Sequence, residues 1–218
     1  MAPQVRGAGC RSGASAYEVT LMSGIGLRQD RLEGDDSAAT RLTERLGKRS
    51  IVLVGLMGCG KSSIGRRLGV RLRLPFVDAD VEIEQAAGMT IPEIFTEHGE
   101  PYFRDGERRV IRRLLLQGPQ VLATGGGAYM NAETRANIAH AGISLWLKAD
   151  IDVLLKRVAR RSNRPLLKAA NPAEVMQRLM NERYPVYAQA DATLQSREIP
   201  HDRIVEEAIA ALMASPRL

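Results

Sequence analysis

Cysteine, aromatic residues and long apolar runs are all scarce in this sequence. Its 218 residues include only two cysteines, Cys10 and Cys59, which is too few for a disulfide framework or a cysteine-based metal site. No apolar run approaches the ~18 residues that a membrane-spanning helix needs. Aromatic residues make up 4% of the chain, so the core must consist mainly of Leu, Ile, Val and Ala. These shortages exclude a disulfide-stapled secreted domain and favour a cytoplasmic protein without a membrane partner.

The charge of the chain is positive but lacks the pattern of a nucleic-acid-binding protein. There are 31 Lys and Arg residues against 25 Asp and Glu residues, which gives a formal net charge of +6. The basic residues are scattered along predicted helices, and no motif that interleaves aromatic and basic residues is present. A cleft for anionic small molecules also needs positive charge. We therefore expect no nucleic-acid partner, and we expect a monomer.

The first 48 residues differ in texture from the rest of the chain. Residues 1–22 are rich in Gly, Ala, Ser and Arg and lack the apolar segment of a secretory signal. This composition predicts an N-terminal extension that is largely disordered, with a short helix through Leu42 and Leu46 near its end. A single folded domain is expected over residues 49–218.

One glycine-rich stretch carries the strongest motif of the chain. The apolar run Ile51–Val54 leads into Gly55, and the pattern G-x-x-x-x-G-K-S fills residues 55–62 before a helix-forming stretch. A P-loop lies between a strand and a helix, and this sequence has both. A chance match to the pattern would lack these flanking elements. The glycines let backbone N–H groups approach phosphate oxygens, and the helix adds its positive end. The motif therefore predicts binding of a nucleoside triphosphate.

The residue types within this motif match the parts of a nucleotide. Lys61 supplies a mobile positive charge for the β- and γ-phosphates, and the hydroxyl of Ser62 is a candidate Mg²⁺ ligand. The nucleotide contacts are expected from Gly58, Cys59, Gly60, Lys61, Ser62 and Ser63.

Polar residues follow the apolar runs of the predicted domain. Five such runs alternate with helical patterns, which predicts an α/β fold with a parallel sheet covered on both faces. Ligands bind beyond the carboxyl ends of such strands. Asp78 and Asp80 follow the second run, and a helix cap at Asp80 would explain only one of these two carboxylates. Gly125, Gly126 and Gly127 follow the third run, either as a backbone surface for a ligand or as an ordinary tight turn.

Two further segments supply arginines. Arg104 and Glu107 share a helix face, so Glu107 could orient the guanidinium for a substrate carboxylate, although such pairs are commonly solvated surface. Residues 160–172 are basic and proline-bounded, which predicts a lid whose Arg164 could reach a transferring phosphoryl group. Arg183 lies at a predicted helix break further along the chain.

Taken together, these segments resemble the shikimate kinase family. The match spans about residues 49–212 and comprises, in order, G-L-M-G-C-G-K-S-S-I-G-R-R-L, D-A-D, F-R-D-G-E, T-G-G-G, R-P-L-L and E-R-Y-P-V-Y. The resemblance implies transfer of the γ-phosphate of ATP to the 3-hydroxyl of shikimate, in the pathway to chorismate and aromatic amino acids. It also implies a three-layer fold like that of nucleoside monophosphate kinases, with a five-stranded parallel sheet in strand order 2-3-1-4-5.

The resemblance further implies roles on the side of the acid and the metal. Asp80 would contact the reacting hydroxyl and act as the base, while Asp78 would lie near Mg²⁺ and reach it through water. Arg104 and Arg183 would hold the carboxylate of shikimate, with the ring above Gly125–Gly127.

Roles on the nucleotide side follow from the same resemblance. Arg164 would contact phosphate from the lid, Arg157 would stack on the adenine, and Pro200 would close its other side. The departures are small: Ser63 stands where threonine is commoner, and Cys59 stands where alanine or serine is usual. The alternatives are a gluconate- or nucleotide-type kinase on the same fold, and a nucleotide-binding module without catalysis. Two arginines for one carboxylate argue against a nucleotide acceptor.

Overall fold

The computed structural model describes residues 37–160 and 171–218 of the chain. Most of the predicted extension, residues 1–36, and most of the predicted lid, including Arg164, lie outside these described residues. Among the helices of the described ranges, none combines the length and apolar character needed to cross a bilayer.

The described residues are built around one parallel sheet. Its strands are β1 (Ser50–Val54), β2 (Phe76–Asp78), β3 (Val121–Ala123), β4 (Gly142–Lys148) and β5 (Ala192–Gln195). The strand order is β2-β3-β1-β4-β5, and every neighbouring pair is parallel, which confirms the predicted topology. All five residues of β1 are buried. Because successive side chains of a strand point to opposite faces, this burial requires cover on both sides of the sheet.

Helices precede, connect and follow the strands of this sheet. They are α1 (37–46), α2 (Lys61–Leu72), α3 (Ala79–Ala87), α4 (Ile91–Leu115), α5 (Ala132–Ala141), α6 (Ile151–Ala159), α7 (Pro172–Tyr187) and α8 (His201–Met213). A short 3-10 helix at Ala128–Met130 follows β3 and was not predicted.

Helix α4 consists of two helical segments joined at a break. It starts with a capping box, in which Thr90 and Glu93 exchange hydrogen bonds with each other's backbone. At Gly99 the backbone leaves the helical region, with φ 78° and ψ 172°, and Pro101 follows. Glycine is needed here because other residues rarely adopt this φ. The segment after the break carries Arg104 into the site.

Helix α1 shows that the folded unit begins earlier than the predicted boundary at residue 48. The compact unit starts at Ala38, and Leu42 and Leu46 are buried in the hydrophobic core. Arg49 holds the end of α1 by donating hydrogen bonds to the carbonyl oxygens of Leu46 at 3.2 Å and Arg217 at 2.5 Å. The leucines could be recognised as one helix face in the sequence, but their packing partner could not.

Candidate active site

A cavity of about 600 Å³ lies at the carboxyl ends of β1, β2 and β3. This is where a parallel sheet is expected to bind its ligand. Of the residues predicted from the sequence, the cavity wall contains Gly58, Gly60, Lys61, Ser62, Ser63, Asp78, Asp80, Gly125, Gly126 and Arg157. The candidate nucleotide residues and the candidate base therefore share one cavity.

The nucleotide loop, residues 55–62, has a backbone that only glycine allows. Gly55, Gly58 and Gly60 have φ values of 140°, 83° and 102°. Gly58 also packs tightly against α6, since a Cβ there would lie 3.0 Å from Cγ2 of Val158. Gly60 is the N-cap of α2 and has no side chain to cap it. The first N–H groups of α2 are therefore available to an anion.

Lys61 lies across the nucleotide loop. Its Nζ donates hydrogen bonds to the carbonyl oxygens of Gly55 at 2.8 Å and Leu56 at 3.0 Å. The Sγ of Cys59 lies 3.8 Å from the same nitrogen, and this thiol is buried. The ammonium group of Lys61 thus lies at the cavity, beside the backbone that is expected to bind phosphate.

Ser62 and Asp78 form the candidate metal site. The Ser62 hydroxyl donates to Oδ2 of Asp78 at 2.8 Å, and both residues line the cavity. Hydroxyl and carboxylate oxygens are ligands that suit Mg²⁺, which usually keeps several waters and binds phosphate as well. Within residues 37–160 and 171–218, no group of three or more His, Cys, Asp or Glu side chains is placed to hold a metal. The pair therefore fits a Mg²⁺ ion whose remaining ligands are phosphate oxygens and water.

Asp78, and not Asp80, caps helix α3. Helix α3 starts at Ala79, so Asp78 is its N-cap residue. Oδ1 of Asp78 accepts a hydrogen bond from the backbone N–H of Asp80 at 3.3 Å. The simpler explanation of Asp80 as a helix cap is therefore wrong. Asp80 lies in the first turn of α3 and lines the cavity.

Gly127 of the glycine turn, residues 125–127, makes room for Arg104, and Gly126 lies at ordinary contact distance from Arg183. A Cβ on Gly127 would lie 2.6 Å from Nη1 of Arg104, and one on Gly126 would lie 3.4 Å from Nη1 of Arg183. The two guanidinium groups therefore lie on neighbouring residues of one turn, although their positions in the sequence are 79 apart. Two guanidinium groups this close suit a carboxylate ligand.

Gly125 makes room for two carboxylates. A Cβ on this residue would lie 2.6 Å from Oε1 of Glu107 and 3.0 Å from Oδ1 of Asp80. The sequence left open whether the turn was a backbone surface for a ligand or an ordinary turn. The structure adds a third function, because the absence of side chains at Gly125 and Gly127 makes room for Glu107, Asp80 and Arg104.

Glu107 anchors Arg104 from below the turn. The side chain of Glu107 is 3% exposed, and its Oε2 accepts a hydrogen bond from Nη1 of Arg104 at 2.8 Å. Burial raises the pKa of the Glu107 carboxyl, and Arg104 opposes this shift. Oε1 of Glu107 has no hydrogen-bond partner among the described residues. The alternative of a solvated surface pair is therefore wrong for Glu107.

Helix α7 supports the glycine turn. The hydroxyl of Tyr187 donates a hydrogen bond to the carbonyl oxygen of Gly126, and Tyr187 is fully buried. Burial raises the pKa of Tyr187 to about 12. Arg183 lies within α7 and not at the predicted helix break, since α7 continues through Pro185 to Tyr187.

Arg157 borders the cavity between the nucleotide loop and the segment after β5. Its Nη1 donates to Oγ of Ser196 at 2.8 Å and lies 3.3 Å from the carbonyl oxygen of Cys59. Pro200 is the N-cap of α8, and its neighbour Ile199 lines the cavity. Ser196 was missed in the sequence, although its position directly after a strand followed the rule that identified Asp78.

Comparison with known proteins identifies the family. The family model for shikimate kinase matches residues 57–213. The chain is 66% identical over 169 residues to a shikimate kinase of Bradyrhizobium diazoefficiens, covering 78% of this chain and 82% of that protein. It is 58% identical over 179 residues to a shikimate kinase of Rhodopseudomonas palustris, covering 82% of this chain and 88% of that protein.

Solved structures agree with these relatives. The structure of shikimate kinase from Acinetobacter baumannii in complex with shikimate has a TM-score of 0.72 and 36% identity, covering 77% of this chain and 94% of that chain. A gluconokinase from Sinorhizobium meliloti, at 20% identity and a TM-score of 0.51, shares the fold alone. The family model and these relatives show that the chain belongs to the shikimate kinase family.

Proposed function

We propose that this protein transfers the γ-phosphate of ATP directly, by in-line displacement, to the 3-hydroxyl of shikimate in the cavity described above. ATP-dependent phosphorylation of shikimate is the activity of the family to which it belongs. One observation carries the assignment of roles. Lys61 and Asp80 line the same cavity, and Asp80, Arg183 and Arg104 approach three successive residues of the glycine turn.

The nucleotide loop is the proposed phosphate site. Its backbone N–H groups and the start of α2 would bind the phosphate oxygens, and Lys61 would follow the transferring group. Arg157 would stack on the adenine, with Pro200 on its other side. Arg164 is proposed to add positive charge from the lid.

The glycine turn is the proposed acid site. Arg104 and Arg183 would bind the shikimate carboxylate with their guanidinium groups, and Glu107 would keep Arg104 in place. Asp80 would orient the 3-hydroxyl and accept its proton as the bond to phosphorus forms. Because phosphoryl transfer passes through a loose transition state, positioning by Asp80 matters more than its strength as a base.

Mg²⁺ is the proposed cofactor. Ser62 would hold it directly and Asp78 through water, as their shared position at the cavity suggests. When bound, the ion would neutralise charge on the β- and γ-phosphate oxygens. EDTA should abolish turnover and Mg²⁺ should restore it, and Ser62→Ala should raise the Mg²⁺ concentration that half-restores the rate. A Ser62→Ala enzyme with an unchanged Mg²⁺ requirement would remove Ser62 from this role.

We also propose that the protein acts as a cytoplasmic monomer without a nucleic-acid or membrane partner. All the side chains assigned above belong to one chain, so the site does not require a second copy. Light scattering at assay concentrations should give the mass of a single chain, and the specific activity should not depend on enzyme concentration.

The decisive assay measures ADP release from ATP with a panel of acceptors. Shikimate should accelerate ADP release strongly, whereas gluconate and nucleoside monophosphates should leave the slow background rate unchanged. Equal acceleration by gluconate would favour a broader small-molecule kinase. Binding of ATP without acceleration by shikimate would favour a nucleotide-binding module without catalysis.

A further inference from the structure

Ser196 has no role in the mechanism above, yet it lies at the junction of two parts of the nucleotide site. It follows β5 directly and is 1% exposed. Its hydroxyl donates a hydrogen bond to the carbonyl oxygen of Cys59 at 2.6 Å and accepts one from Nη1 of Arg157 at 2.8 Å. We propose that Ser196 is a positioning residue that orients the Cys59–Gly60 peptide so that the Gly60 N–H faces the phosphates.

The geometry of the peptide bond links the carbonyl of Cys59 to the amide of Gly60. In a planar trans peptide the C=O and the N–H point in opposite directions. The C=O of Cys59 points to Ser196, on the segment after β5, and both Ser196 and Gly60 line the cavity. A hydroxyl that holds this carbonyl from the β5 side therefore directs the following N–H away from β5.

Glycine makes this peptide easy to turn over. Gly60 has φ 102°, and glycine adopts positive and negative φ with similar ease. If the peptide between Cys59 and Gly60 rotated by half a turn, a carbonyl oxygen would replace an N–H beside the phosphates. An external anchor is therefore needed to keep the binding orientation before the nucleotide arrives.

The hydrogen bond from Ser196 is the shortest side-chain contact to the carbonyl oxygen of Cys59. Arg157 lies 3.3 Å from the same oxygen and 3.5 Å from the carbonyl oxygen of Gly58. Ser196 is itself fixed to the sheet, because its N–H donates to the carbonyl oxygen of Lys148 at 2.6 Å. An anchor on a buried sheet edge is more rigid than the end of a long side chain.

The remaining carbonyl contacts of the loop follow the same principle. Lys61 holds the carbonyl oxygens of Gly55 and Leu56. Side chains thus contact the carbonyl oxygens of Gly55, Leu56 and Cys59, and the loop N–H of Cys59 donates to the carbonyl oxygen of Leu56 at 3.3 Å. Within this arrangement Ser196 serves the phosphates, whereas Arg157 is proposed to serve the adenine.

This division of roles can be tested by calorimetry with two ligands, ADP and inorganic tripolyphosphate, which lacks the adenine. Ser196→Ala should weaken both ligands by the same factor, about tenfold, because one oriented donor is lost. Ser196→Thr keeps the hydroxyl and should retain most of the affinity for both. Arg157→Met should weaken ADP more than tripolyphosphate. If Ser196→Ala leaves tripolyphosphate binding unchanged, or weakens ADP alone, the proposal is wrong.

A control separates positioning from structural support. Shikimate affinity should stay at its wild-type value in Ser196→Ala, and an equal loss of shikimate affinity would contradict the proposal. Ser196→Cys fills the same space with a weaker donor and should show the same loss of tripolyphosphate affinity if the alanine variant folds poorly. The inference rests on the proposed nucleotide site, but its readout is polyphosphate binding. A failure of the proposed function in the shikimate-dependent assay can therefore be distinguished from a failure of the Ser196 proposal.

Discussion

The guanidinium of Arg104 lies where a side chain at Gly127 would have to be. Its Nη1 is 2.6 Å and its Cζ is 2.7 Å from the Cβ position of Gly127. Gly127 has φ −90° and ψ −17°, a conformation open to any residue. Glycine is therefore needed here for space and not for backbone freedom. Because the displaced group is the end of a flexible side chain, a larger residue should disturb binding and spare the fold.

Gly127→Ala should raise the KM for shikimate about 10- to 100-fold, since a displacement of about 1 Å at a substrate-holding group has effects of this size. The KM for ATP and the thermal unfolding temperature should change little. Steady-state kinetics with each substrate varied in turn will measure the effect. Arg104→Ala should raise the KM for shikimate at least as much.

Gly106→Ala is the matched control for this substitution. Gly106 lies on α4 close to Arg104, and no atom lies within 4 Å of its Cβ position. Alanine there should keep both KM values and stabilise the protein by about 0.5–1 kcal/mol through its higher helix propensity. If both glycine variants behave alike, the space that Gly127 provides for Arg104 has no functional role.

Asp80→Asn should lower kcat by about 10²- to 10⁴-fold, because the neutral amide neither orients the hydroxyl as a carboxylate does nor takes its proton. ADP binding should remain at the wild-type level, since the contacts that hold phosphate come from the nucleotide loop. Rapid-quench kinetics and calorimetry with ADP will test the two halves of this prediction. Asp152→Asn, an exposed position on α6, should be indistinguishable from wild type.

Tyr187 should make stability sensitive to alkaline pH. Its pKa is about 12 in the folded protein and near 10 when unfolded, so it loses its proton more easily in the unfolded chain. The contribution of Tyr187 to the free energy of unfolding should therefore be fully present below pH 10 and should be lost as the pH rises towards 12. Over this interval the free energy of unfolding should fall by up to about 3 kcal/mol more in wild type than in Tyr187→Phe. Urea unfolding at a series of pH values measures both proteins, and parallel curves would refute the assignment.

Leu42→Ala should destabilise the protein by about 2–5 kcal/mol, as expected when a buried leucine is truncated and a cavity remains. Leu42 is 0% exposed on α1, so this experiment tests whether α1 belongs to the folded unit. Glu44→Ala, at an exposed position of the same helix, should change the free energy of unfolding by less than about 0.5 kcal/mol. Equal unfolding midpoints for the two variants would show that α1 is dispensable.

The parts of this molecule that the sequence predicted are those that depend on local pattern. The apolar run before Gly55 and the motif after it identify strand, loop and helix within fifteen residues. Alternation of runs and helices indicated a parallel sheet, whereas the strand order came from the family resemblance. The order depends on which strands pair, and hydrophobic periodicity carries no such information.

The contacts that the sequence could not predict join distant segments. Cys59 and Ser196 are 137 residues apart, and no spacing rule connects them. The burial of Glu107 beneath Gly125 likewise depends on how α4 packs against the turn after β3. The boundary at residue 48 was misplaced for a related reason, because composition shows that α1 has an apolar face but not what covers that face.

The crowding around residues 125–127 limits how this enzyme can be redesigned. A Cβ at Gly125 would lie 2.6 Å from Oε1 of Glu107, and one at Gly127 would lie 2.6 Å from Nη1 of Arg104. Enlarging either residue would therefore disturb an existing contact before it created a new one. Acceptance of a different acid is therefore more accessible by exchanging Arg104 or Arg183 for shorter side chains. Such exchanges would enlarge the acid site and leave the glycine turn unchanged.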